Sequence, residues 1–197
     1  LAFLQNSPSC FHAVKNVTDM LTAAGFTEVK EEESWELKAG GRYFVTRNQS
    51  SVIAFKIPGK DFKGFQIMAS HSDSPAFKIK ENPEMEAAHC IKLNVEKYGG
   101  MICAPWFDRP LSIAGRLVVS EGSRLVSKLV NVDRDLVMIP NLAIHMNRQV
   151  NDGYAYNAQK DMLPVFGSLE AKGTFMSLMA EAAGVKEEDI LGHDLFL

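Results

Sequence analysis

The feature that most constrains this chain is a long stretch with no helical period. From about residue 85 to 166 apolar residues do not recur at spacings of three and four, but they do alternate. Ile91, Leu93 and Val95 alternate with Lys92, Asn94 and Glu96 ahead of a Tyr98-Gly99-Gly100 turn. Ala114 to Ser120 and Arg124 to Val130 flank Glu121-Gly122-Ser123, a hairpin signal. Just upstream, Phe77 and Ile79 alternate with Lys78 and Lys80, which describes a strand with one wet face. An all-β unit is expected over 85–166, with its exit at Pro164-Val165-Phe166-Gly167.

The flanks mix helix and strand. Ser7-Pro8 has the chemistry of a helix start, and Phe11, Val14, Thr18, Leu21 and Ala24 follow at helical spacing up to Gly25. A short strand candidate lies between Phe26 and Trp35. Tyr43 to Arg47 and Ser51 to Ile57 make a hairpin about Asn48-Gln49, closed by Pro58-Gly59-Lys60-Asp61. Helical spacing returns at Phe175, Leu178, Met179 and Ala182, between Thr174 as N-cap and Gly184 as C-cap. The fold class expected is α/β: a mixed-sheet domain over 1–84, an inserted all-β domain over 85–166, and a return to the first domain over 167–197. The chain starts at Leu1 without Met and stops in the apolar run Asp194-Leu195-Phe196-Leu197, so it reads as a piece of something longer.

Composition closes off several function classes. With 46% hydrophobic and 23% charged residues, a globular core is expected. A net charge of −3 without a basic block gives no footprint for nucleic acid. No apolar run nears the ~20 residues that span a bilayer, so no membrane role is expected. Three cysteines without a CxxC pair point to a reducing compartment and a cytoplasmic location.

The chemistry is concentrated in Phe65-Gln66-Ile67-Met68-Ala69-Ser70-His71-Ser72-Asp73-Ser74-Pro75. The apolar run reads as a buried strand ending at a His-Ser-Asp triplet. Residues i and i+2 of a strand share a side, so His71 and Asp73 would project together. An imidazole that binds a metal through one nitrogen commonly donates its other N–H to a carboxylate. Other polar groups read as structure. His12 sits beside an apolar stripe, Glu31-Glu32-Glu33 is a solvated turn, and His89-Cys90 has no second pair. His193 is expected at a strand edge. Asp108-Arg109-Pro110 reads as an ion-paired turn or as a wall facing an acidic substrate through Arg109.

Six phrases in order carry a family resemblance. They are Ser7-Pro8-Ser9-Cys10-Phe11-His12-Ala13-Val14, Tyr43-Phe44-Val45-Thr46-Arg47-Asn48, Ser70-His71-Ser72-Asp73-Ser74-Pro75, Tyr98-Gly99-Gly100, Trp106-Phe107-Asp108-Arg109-Pro110-Leu111 and Ile139-Pro140-Asn141-Leu142-Ala143-Ile144-His145. In these the chain resembles the aspartyl aminopeptidase family of zinc metallopeptidases, along nearly its whole length. The resemblance implies a peptidase domain with an inserted β dimerisation domain, and dimers that assemble further, often to twelve subunits. It implies removal of N-terminal acidic residues from peptides with two zinc ions per site, other divalent metals being alternatives.

By that resemblance His71 is a ligand of one metal and Asp73 the catalytic-site carboxylate that orients it. The remaining family ligands, and a general-base Glu, lie beyond these residues. The chain alone is therefore expected to be inactive. Glu187-Glu188 matches the family's Glu pair only superficially and reads as a solvated turn. The resemblance also gives His145 a substrate-binding role across a dimer interface; a partly buried, backbone-satisfied histidine is the other reading. The function in a different class is a non-catalytic assembly module that kept the β domain and lost the metal centre.

Overall fold

A computed structural model describes residues 1–59 and 61–197; Lys60, within the turn expected at 58–61, lies outside the described residues. The chain forms two compact units, Leu1–Ser74 and Pro75–Leu197. Its class is mixed α/β with a curled antiparallel sheet.

In the first unit a short helix α1 (Ala2–Gln5) precedes α2 (Cys10–Ala23). Ser9, not Ser7, caps α2: its hydroxyl accepts the His12 N–H at 3.5 Å and lies 2.8 Å from His12 Nδ1. Burial pushes the His12 pKa down. Ser7 falls outside the helix, where its hydroxyl takes a hydrogen bond from the Asn16 amide at 3.0 Å. Phe11, Ala13 and Val14 form the buried stripe of α2. Strand β1 (Thr27–Glu28) runs parallel to β2 (Arg42–Arg47), which pairs antiparallel with β3 (Ser51–Lys56). Asn48 and Gln49 take positive φ in the intervening turn, as the hairpin signal requires.

The strand expected at Phe65 to Ala69 is not formed. Residues 62–75 have no regular secondary structure, and Phe65, Ile67 and Met68 are 57%, 84% and 95% exposed. A strand exists only with a neighbour for its N–H and C=O groups. In the three-stranded sheet of this unit, order β1-β2-β3, no strand pairs with these residues.

The second unit is built on an eight-stranded sheet. Its strands are β4 (Ala76–Ala87), β5 (Cys90–Tyr98), β6 (Pro110–Leu111), β7 (Ala114–Glu121), β8 (Arg124–Asn131), β9 (Val137–Met138), β10 (Val165–Ser168) and β11 (Ile190–Phe196). In space the order is β6-β9-β10-β5-β4-β11-β7-β8. The alternation read in the sequence is realised: Phe77, Ile79, Ile91, Leu93 and Val95 are all at most 1% exposed. A short helix α3 (Ala158–Asp161) interrupts the β region, and α4 (Phe175–Ala183) packs Phe175 and Met179 into the same core as Leu93, Leu117 and Leu195.

The division at 84 and 85 falls inside β4, and β11 of the expected third segment pairs with β7 and β4 in this sheet. Gly115 lets β7 approach β11, because a Cβ there would run into the Asp194 carbonyl oxygen. Asp194 then joins three strands. Its carboxylate meets Arg116 of β7 at 2.9 Å and Lys78 of β4 at 3.0 Å. Burial pushes the Asp194 pKa up, but those two cations outweigh it and the net shift is down.

The cap of α4 comes from an unexpected place. Thr174 stands at the N-cap position, yet its hydroxyl donates to the Ala171 carbonyl at 2.7 Å. The α4 end is instead served by Glu84 of β4, whose carboxylate accepts N–H groups of Gly173 at 2.6 Å and Phe175 at 2.9 Å. Two amide donors pointing at one carboxylate, with the helix dipole behind them, make a favourable anchor. Glu84→Ala is expected to destabilise the unit by about 1–2 kcal/mol, and Glu84→Gln by less. Urea melts that leave the midpoint of Glu84→Ala unchanged would contradict the capping role.

His193 is not at an edge. It shares a strand face with fully buried Leu195, is itself buried, and neither ring nitrogen has a hydrogen-bond partner among the described residues. Burial lowers its pKa; Glu81 and Asp194 act upward and Lys78 downward. Below a pH of about 6.5 the unfolded chain takes up a proton that the folded one refuses, so this residue removes stability as the pH falls into the range beneath its ordinary pKa. His193→Leu is expected to stabilise the protein by about 1 kcal/mol at pH 8 and by more at pH 5. Thermal melts at the two pH values check this, and equal gains at both would refute the titration argument.

Candidate metal centre

His71 and Asp73 are brought together, but by a loop rather than by a strand. The loop is pinned where Ser72 Oγ donates to the Ser50 carbonyl at 2.8 Å, beside the β2–β3 turn. His71 Nδ1 lies 3.0 Å from Asp73 Oδ1 and 2.8 Å from the Asp73 backbone oxygen. Both partners are acceptors, so in the neutral ring Nδ1 carries the proton and Nε2 the lone pair. The imidazole is 80% exposed. This tautomer, with a carboxylate behind it, is what a metal-binding histidine needs. The pair therefore fits one metal ligand with its orienting group. Among the described residues no three His, Cys, Asp or Glu side chains converge to hold a metal ion.

The other candidates separate cleanly. His145 stands in the second unit, exposed on a turn in which the Met146 and Asn147 N–H groups donate to the Ala143 carbonyl at 2.8 and 3.2 Å. The reading of His145 as a partly buried side chain does not hold for this chain. Glu187 and Glu188 are exposed in a turn; Glu187 accepts from Ser177 Oγ, and Glu188 pairs with Lys186 at 3.5 Å. Glu31, likewise exposed, is held by the Arg47 guanidinium, which lowers its pKa. Cys90 donates its thiol to the Ala87 carbonyl at 3.3 Å. Asp108 engages the Asn141 N–H rather than the guanidinium of Arg109. That contact was not foreseeable from spacing, because 33 residues separate its partners. Among the described residues no helix is long and apolar enough to cross a membrane.

Comparison with known proteins places this geometry. The family model described as aminopeptidase I zinc metalloprotease (M18) matches residues 3–197. A probable M18 family aminopeptidase 2 of Clostridium acetobutylicum is 49% identical over 205 residues, which cover 99% of this chain and 47% of that protein. A chain in the cryo-electron-microscopy structure of the Ape4 and Nbr1 complex superposes with a TM-score of 0.91 at 34% identity, over 99% of this chain and 42% of its own length. The mApe1 dodecamer of S. cerevisiae shares the fold at a TM-score of 0.80 and 24% identity, over 99% of this chain and 46% of that one. This chain thus spans about half the length of its matches. By both sequence and backbone, it belongs to the M18 family of aminopeptidase I zinc metalloproteases.

Proposed function

We propose that this chain is part of a dinuclear zinc aminopeptidase that removes N-terminal residues, preferring Asp and Glu. The observation that carries the reading is the His71–Asp73 pair, in which Nδ1 faces a carboxylate and Nε2 is available to a metal. In this reading His71 binds one zinc ion and Asp73 keeps the ring in the binding tautomer. Bound metal supplies Lewis-acid polarisation of the scissile carbonyl and a more acidic water. The residues of this chain hold, orient and position: Asp73 fixes His71, and His145 meets the substrate from a neighbouring subunit.

The same reading makes the protein a cytoplasmic homo-oligomer, a dimer through the β-rich unit and in some assemblies a dodecamer. It supports this that the S. cerevisiae relative is a dodecamer. The test is a panel of chromogenic peptides with Asp, Glu, Leu or Lys at the N-terminus, assayed on the complete zinc-loaded protein with light scattering alongside. Turnover at least about tenfold faster for the acidic pair, from an oligomer, is the expected result. Fast cleavage of Leu with none of Asp would overturn the specificity. The second reading is a non-catalytic assembly module, one that keeps the eight-stranded sheet without a metal centre. An oligomer with no turnover on any peptide would select it.

A further inference from the structure

We infer that Asp108 is a positioning residue for the loop that carries His145; the inference rests on the substrate-contact reading of His145. Two adjacent residues grip both ends of that loop. At its start, Phe107 forms a parallel bridge with Ile139, and the Asp108 N–H donates to the Ile139 carbonyl at 3.0 Å. The Asp108 carboxylate then accepts the Asn141 N–H at 2.8 Å. At the far end, the buried Phe107 ring packs on Tyr156 with centroids 4.7 Å apart. Asp161 finishes that end by accepting the Asn157 N–H at 2.7 Å and the Tyr154 hydroxyl at 3.2 Å.

Between those ends the backbone hydrogen bonds are short-range ones: Val150 to Asn147 at 3.4 Å and Asp152 to Gln149 at 2.9 Å, besides the turn at Ala143. Such bonds shape a loop but do not aim it, so the grips at 141 and 156 set where His145 points. Asp108 also holds φ at +53, a region that Asp and Asn visit more readily than other side chains and that glycine enters freely. The position selects for a residue that tolerates left-handed backbone and also presents an acceptor oxygen. Aspartate and asparagine meet both demands; glycine meets only the first.

That difference supplies the experiment. In the complete protein, Asp108→Gly keeps the backbone and removes the acceptor, and is expected to raise KM for an N-terminal Asp peptide about fivefold with kcat within about twofold. Asp108→Asn is expected to restore KM to within about twofold, since its amide oxygen still accepts. Zinc content should not change. Combined with His145→Ala, Asp108→Gly should add nothing to the loss caused by His145→Ala alone, because it acts through that residue. A normal KM in Asp108→Gly, or losses that multiply in the double variant, would overturn the inference. If His145→Ala itself leaves KM unchanged, the substrate-contact reading fails on its own. Amide exchange over 141–147 then decides the anchor separately: an acceleration of about tenfold in Asp108→Gly sustains it, and unchanged exchange removes it.

Discussion

Alanine in place of His71 in the complete protein is expected to lower kcat/KM by about a thousandfold or more and to reduce the zinc content. The reason is the division of labour in the 71–73 loop. In the proposed site His71 would offer the imidazole nitrogen to a metal, while Asp73, 3.0 Å from Nδ1, would act on the metal through the ring. Losing an orienting partner typically costs about 10–100-fold. Losing a direct ligand removes the bond itself, so Asp73→Ala should be the milder change, within that 10–100-fold range. Zinc analysis and steady-state rates on both variants check the order of effects. If Asp73→Ala proved worse than His71→Ala, the assigned roles would be reversed.

The second large effect concerns the 197 residues by themselves. Expressed alone, they should show no turnover of an N-terminal Asp or Glu peptide under added Zn²⁺, Co²⁺ or Mn²⁺, and should hold zinc weakly. A catalytic zinc ordinarily has three protein ligands, and a two-metal site shares more than that. The described residues bring one imidazole and one carboxylate together and no third donor. Titration calorimetry should find no tight zinc site. Turnover that vanished in His71→Ala would instead show that these residues build a working centre.

What the sequence made legible follows from locality. Both hairpins, the alternation of β4 and β5, and the Gly184 end of α4 depend on neighbours within a few residues, and the structure realises each. The His71–Asp73 pairing was equally local, and it survives even though the strand expected to present it does not form. Phe65 to Ala69 carries the pattern of a buried strand, but a pattern cannot supply the adjacent strand. The Glu84 cap joins residues 89 and 91 positions apart, and no spacing rule reaches that far. His193 was expected at an edge for a different reason. Its nearness to the last residues said nothing of β4 and β7, distant strands that flank β11 on both sides.

The position of β11 has a consequence for how the protein is made. This strand, made well after β4 and β7, lies between them in the middle of the sheet. Until residue 190 and beyond have emerged, β4 and β7 each present an open edge, and the Arg116 and Lys78 cations wait for the Asp194 carboxylate. The sheet therefore cannot close as β4 and β7 emerge; it waits as two part-sheets for a keystone more than 100 residues downstream of β4. Such long-range closure is slow, and it leaves two unpaired edges available to other nascent chains. An arrest of translation just before Ile190 would hold the protein in its most aggregation-prone form.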